Sequence, residues 1–405
     1  MEAIEQFIAI SRKPAVQEEG ERLILLADGN YSITERPDAV LLEAWNEQIN
    51  LVRRIKAIQR QRPGRLDLTI ERFGKRTGVL TLVDLEHSAG AGAERVAIRR
   101  EFREQFARFL RRRFTDWRIA ELSTEPDLEH SLSPAFPRAL LRRGAQALAA
   151  MGATGASAPN ALAFGLIWLD YLRRRDPGLA VEGLVLYEPL EHIANTCLRL
   201  RWLNPEVARL LVFAHGPAGL EEAIDPQDYG NVDTRLEPCP GPSRRALQST
   251  PEARLESLIR QNLPAVSAAL APAPVYGQVP SLAGLDRGVL DLLAVSHDGR
   301  LAVLELKATQ DLQLPVQALD YWLRVAWHAA RDEFRALGYF PGFPLRTEPP
   351  RLFLVAPAIQ FHPTTETILR FYSPSIEVER VGLALPWENE IRVLFRARGA
   401  AVPGA

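Results

Sequence analysis

Between Val289 and Lys307 the chain reads VLDLLAVSHDGRLAVLELK, two strand-length apolar runs separated by His297-Asp298-Gly299. Glycine supplies the tight turn, so this segment specifies a β-hairpin locally. Leu301, Val303, Leu304 and Leu306 make the second run a central, largely buried strand. Ionised groups on such a strand need a purpose, because burying charge without a partner is costly.

Three ionisable residues stand in that hairpin. Glu305 and Lys307 are one residue apart, and side chains alternate across a strand, so both point to one face. Asp291 is on the first strand, and a register closed by a short turn brings it opposite that pair. The alternative for Glu305 and Lys307 is a same-face surface ion pair of small energetic weight. Asp286, in Gly284-Leu285-Asp286-Arg287-Gly288, is the rival acid. Two carboxylates suit a hard divalent ion such as Mg²⁺ or Mn²⁺, with water and phosphate oxygens completing its shell. A lysine beside them holds water or phosphate as a compact point charge. The chain is poor in lysine, with Lys13, Lys56, Lys75 and Lys307 against 45 arginines.

The rest of the chain divides by texture into a mixed α/β (α+β) protein. Residues 1–93 read as a small α+β module: alternation in 22–45 and 65–86 favours strands, and Ile49, Val52, Ile55 and Ile58 predict an amphipathic helix over 47–61. Residues 94–223 read as a mixed α/β domain. It opens on an arginine-rich helix with Ile98, Phe102, Phe106, Phe109 and Leu110 on one stripe. Further helices are expected at 137–151 and 161–175, and strands at 117–122, 183–187 and 208–213. Residues 224–249, rich in proline and glycine, read as a linker. Thr250-Pro251-Glu252 starts a helix, and a last domain spans 250–396.

With 49 basic and 50 acidic residues there is no overall attraction to polyanions, so any nucleic-acid contact is a local patch. Arg99, Arg103, Arg111 and Arg112 on the first long helix are the candidates, although interleaved Glu101 and Glu104 suit a merely solvated face. Cys197 and Cys239 are too few for a disulfide framework or a four-thiolate site, and no secretory signal pattern or membrane-length apolar run is present. A cytoplasmic protein without membrane contact is expected. No phosphate loop, dinucleotide glycine fingerprint, nucleophile elbow or zinc spacing occurs, which argues against ATP hydrolysis and cofactor redox chemistry.

The Gly284–Trp327 segment resembles the PD-(D/E)xK nuclease superfamily, the restriction-endonuclease-like fold. That family pairs an acid on one strand with Glu-x-Lys on the next, matched here by Asp291 and Glu305-Leu306-Lys307. The resemblance implies an αβββαβ core over about 250–360, with Leu352-Phe353-Leu354-Val355 as its last central strand. It also implies a supporting metal ligand on the preceding helix at Glu256, and a glutamine and a tyrosine on the following helix at Gln317 and Tyr321. Leu290 stands where the family's name has proline. The implied activity is Mg²⁺- or Mn²⁺-dependent hydrolysis of nucleic acid, with DNA cut internally. The alternative is a non-catalytic nucleic-acid-binding or scaffolding protein that keeps the fold. Association into a homodimer and a degenerate copy of the same fold in the middle region are both left open.

Overall fold

The computed structural model describes residues 1–18, 24–27, 29–36, 39–45, 50–72, 76–85, 89–227, 234–236, 250–283 and 286–399. The chain forms two compact units: 1–105 with 155–157, and 106–154 with 158–405.

The first unit holds helix α1 (Glu2–Ile10) and strands β1 (Pro14–Glu18), β2 (Ile24–Leu25), β3 (Tyr31–Arg36), β4 (Ala39–Trp45), β5 (Asn50–Arg62), β6 (Arg65–Arg72) and β7 (Arg76–Asp84). They make an antiparallel sheet in the order β2-β1-β7-β6-β5-β4-β3. Ile4 and Phe7 of α1 join Leu42, Leu66, Leu68, Leu80 and Leu82 in its core. Buried Asp84 accepts the backbone N–H groups of Arg12 and Lys13, both at 3.1 Å, and fixes the turn from α1 into β1.

The helix expected over 47–61 is instead strand β5 across its described part; 47–49 lie outside the described residues. Its apparent helical stripe is not a face: Val52 is 43% and Ile58 47% exposed, while Leu51 and Ile55 are buried. Register shifts beside Ile55 and Ile58 place extra residues in the strand, and each bulge turns a period of two into a local spacing of three.

Helix α2 (Ala89–Arg113) leads into the second unit, which contains two sheets. The first has β8 (Arg118–Ser123), β9 (Arg138–Arg143), β10 (Gln146–Gly152), β11 (Ala180–Pro189), β12 (Arg209–His215) and β13 (Glu221–Ile224) in the order β13-β12-β11-β10-β9-β8. Helices α3 (Ala161–Arg175) and α4 (Ile193–Leu200) connect its parallel strands. The helix expected over 137–151 is a correction: these residues are the β9–β10 hairpin. Gly144, with φ of 61°, makes the turn between Arg143 and Gln146.

The second sheet has β14 (Thr234–Leu236), β15 (Tyr276–Ala283), β16 (Asp286–Val295), β17 (Leu301–Leu306), β18 (Arg351–Pro357), β19 (Val378–Leu383) and β20 (Val393–Arg398), side by side in that order. Around it lie α5 (Pro251–Gln261), α6 (Leu263–Val266), α7 (Leu314–Ala330), α8 (Glu333–Ala336) and α9 (Thr364–Leu369). Thr250 caps α5, its hydroxyl accepting the Ala253 N–H. Strand β14 lies within the stretch read as a linker; 228–233 and 237–249 fall outside the described residues.

Two cores bracket this sheet. Leu301, Val303, Leu352 and Leu354 pack with α7 and continue into the α3 side of the other sheet, so both sheets share one core. Leu292, Leu304, Leu306, Phe353 and Val355 pack with Leu255 and Ile259 of α5 on the opposite face. Among the described residues no helix is long and apolar enough to cross a membrane.

Candidate active site

Gly299, with φ of 84°, closes the β16–β17 hairpin, whose register pairs Val295 with Leu301 and Leu292 with Leu304. One step further along, Asp291 comes opposite Glu305. There a side chain takes over from the ladder: the Leu306 N–H donates to Asp291 Oδ2 at 2.9 Å. Glu305 and Asp291 act on each other electrostatically, so the two acids share a site. Lys307 Nζ lies 3.6 Å from Glu305 Oε1. Strand alternation puts Glu305 and Lys307 on the face of Leu301 and Val303, toward α7.

Glu305 is 2% exposed, and its Oε2 has no hydrogen-bond partner. Burial pushes the Glu305 carboxyl well above the usual range and Asp291 adds to this, while Lys307 opposes it. Burial likewise raises Asp291 to about 6, against the pull of Lys307 and the Leu306 N–H, with Glu256 adding to the rise. Burial would lower Lys307, but Glu305, Asp311 and Asp291 outweigh it, so its pKa is raised and it stays an ammonium. Burial raises the Tyr321 phenol, with Glu305 and Asp291 adding, which places Tyr321 in the field of both acids.

Glu256 sits on α5, 8% exposed, and its carboxylate lies over Gly277 of β15: a Cβ there would be 2.5 Å from Glu256 Oε1. Gln317 lies one helical turn before Tyr321 on α7, with its Oε1 buried and unpartnered.

The arginines fare differently. Arg112, exposed on the surface, shares its Nη2 between the two Glu221 carboxylate oxygens at 2.7 and 2.8 Å, so it is paired within the chain. Arg111 is exposed at the end of α2. Arg99 is exposed and Arg103 half-buried, both in the first unit. The side chain of Asp286 falls outside the described residues.

Sequence reasoning missed Asp311. Its Oδ2 lies 3.5 Å from Lys307 Nζ, while its Oδ1 accepts the Gln313 N–H at 2.8 Å at the entry to α7. The signal was an acid just before Leu314-Pro315, a helix-start pattern, four residues beyond Lys307.

The donor set fits a divalent cation. It offers hard carboxylate oxygens, one of them buried without a partner, in a place where burial alone disfavours their charge. Among the described residues no group of three or more His, Cys, Asp or Glu is placed to hold a metal ion, so an ion on Asp291 and Glu305 would take its remaining ligands from water or substrate. No family model matches the chain, and no curated protein matches it in sequence.

Proposed function

We propose that the chain is a metal-dependent nuclease that hydrolyses phosphodiester bonds of nucleic acid, with DNA cut internally. The observation that carries this reading is the meeting of Asp291, Glu305 and protonated Lys307 on one face at the end of a buried hairpin. A purely structural role explains it poorly. Two acids are held where burial raises both, with one carboxylate oxygen unbonded, an arrangement that weakens the fold unless something positive completes it.

Apart from the one-turn helices α6 and α8, the order α5-β15-β16-β17-α7-β18 supports a restriction-endonuclease-like core, since it runs helix, three strands, helix, strand as that resemblance implies. Asp291 and Glu305 would hold Mg²⁺ or Mn²⁺, with Glu256 assisting. Such an ion activates water and neutralises charge developing on phosphate. Lys307, kept cationic by three acids, donates to the attacking water or to a phosphate oxygen. Asp311 fixes the lysine from its other side. Gln317 brings a free amide oxygen and Tyr321 a neutral phenol to the α7 wall.

Purified protein incubated with plasmid and linear DNA and with RNA should cut in Mg²⁺ or Mn²⁺ and stop on chelation. Lys307→Ala should lose cutting while keeping its fold. Equal behaviour of wild type and variant ends the enzyme reading; salt-sensitive DNA binding without cutting would instead favour a binding protein that keeps the fold.

A further inference from the structure

We infer that the second unit holds the same fold twice and that only the second copy carries chemistry, so a single chain cuts one strand of a DNA duplex per encounter. This rests on the nuclease reading above.

The two sheets repeat each other in order, β8-β9-β10-α3-β11-α4-β12-β13 and β15-β16-β17-α7-β18-α9-β19-β20, the second adding the short helix α8 after α7 and β14 at its edge. In each, two antiparallel pairings are followed by two parallel ones and a final antiparallel one. Bonds match as well: the Ala153 N–H donates to the Tyr187 carbonyl at 2.9 Å, and the Lys307 N–H to the Val355 carbonyl at 3.0 Å. From there the registers coincide, with Tyr187 opposite Phe213 and Val355 opposite Val381.

The helices keep traces of one sequence. Leu169-Asp170-Tyr171 of α3 recurs as Leu319-Asp320-Tyr321 of α7. Thr196-Cys197-Leu198-Arg199 of α4 recurs as Thr367-Ile368-Leu369-Arg370 at the end of α9. Each arginine reaches the other copy's aspartate: Arg199 to Asp320 and Arg370 to Asp170. Reciprocal contacts of this kind are the mark of a two-fold interface, here within one chain.

The matching bonds align Ala153 with Lys307, and strand pairing then aligns Met151 with Glu305 and Arg138 with Asp291. The first copy therefore has arginine, methionine and alanine where the second has acid, acid and lysine. Arg138 is 5% exposed and lies over the Trp168 ring at 5.5 Å. Glu121, Asp127 and Glu125 act on it electrostatically, so their charge is already offset by a guanidinium. A cation entering this place meets like charge, and no lysine stands by. With one competent site for two strands, the second strand needs a separate event.

The test uses the full chain at a concentration where sedimentation shows single chains, with excess supercoiled plasmid and Mn²⁺. Nicked circles should form from the start, and linear molecules should follow only after a lag. Linear product appearing without a nicked precursor overturns the inference while leaving the nuclease reading intact. Mn²⁺ uptake, followed by calorimetry without DNA, is independent of cutting and should vanish in Glu305→Gln. Remaining uptake of comparable affinity assigns an ion elsewhere and overturns the single competent site. Neither cutting nor uptake by wild type removes the nuclease reading and this inference together.

Discussion

Arg199 and Asp320 meet fork to fork, with Nε and Nη2 each 2.7 Å from a carboxylate oxygen, tying α4 to α7 one residue before Tyr321. The Arg199 side chain is only 8% exposed and that of Asp320 17%, so the pair is largely removed from water. Asp320→Ala would deprive a buried guanidinium of its carboxylate while leaving the Pro159 carbonyl at 3.2 Å. We expect a loss of about 3–5 kcal/mol in urea unfolding. The reciprocal pair is looser: Arg370 is 35% exposed at 3.3 Å, and Asp170 also has Arg174 and Thr367. Arg370→Ala should cost about 1 kcal/mol or less. Equal losses would show that the two contacts carry similar weight.

The acids of the site should destabilise the metal-free protein as pH rises. Asp291 titrates near 6 when folded, against an ordinary carboxylate value near 4 when unfolded. The folded state thus binds the extra proton, and the contribution of Asp291 is fully present below about 4 and lost as pH rises through 6. The shift corresponds to roughly 3 kcal/mol, and Glu305 acts with the same sign. Asp291→Asn should therefore be more stable than wild type at pH 8 without metal, and the difference should fade toward pH 4. Mn²⁺ should raise the melting temperature of wild type but not of the variant. A pH-independent difference would refute the assignment.

Glu188, at the end of β11, offers a second titration remote from the acids. It is fully buried, burial raises it to about 7, and the Thr196 hydroxyl donates to its Oε2 at 2.6 Å. Thr196→Val removes a bond that lowers this pKa. The loss of stability with rising pH starts at the ordinary carboxylate value in both proteins; the pH at which it levels off, about 7 in wild type, should move upward in the variant, and Glu188→Gln should abolish that step. Unfolding curves across pH 5–9 would read both.

The hairpin carrying the site was legible because its signals are local: glycine in the turn, aliphatic runs and an alternation that fixes which side chains share a face. Asp311 was marked locally only as an acid at a helix start; its meeting with Lys307 appears when the loop after β17 folds back. Strand β5 misled because bulges mimic a helical period. The alanine-rich β10 misled because alanine favours helices, whereas Ala147, Ala149 and Ala150 are fully buried in the middle of a sheet, where packing overrides propensity. The duplication was nearly erased from the sequence. Its short traces lie on the helices that join the copies, where Arg199 pairs with Asp320 and Arg370 with Asp170.

Gly277 gives a way to move Glu256 without removing it. A Cβ at this position would lie 2.5 Å from Glu256 Oε1 and 3.3 Å from Arg260 Nη1, both at the ends of flexible side chains. Gly277→Ala should therefore leave the backbone in place and alter stability by less than about 1 kcal/mol, since alanine also restricts the unfolded chain. The Glu256 carboxylate must swing aside, however. Its charge adds to the raised pKa of Asp291, so displacement should bring the Asp291 titration down toward the ordinary range and shift the pH dependence of stability to lower pH. If Glu256 also helps hold the cation, Mn²⁺ affinity measured by calorimetry should fall in step, and Glu256→Gln should reproduce both changes. An unchanged Mn²⁺ affinity together with a shifted titration would keep Glu256 as an electrostatic neighbour and remove it from the ligand set.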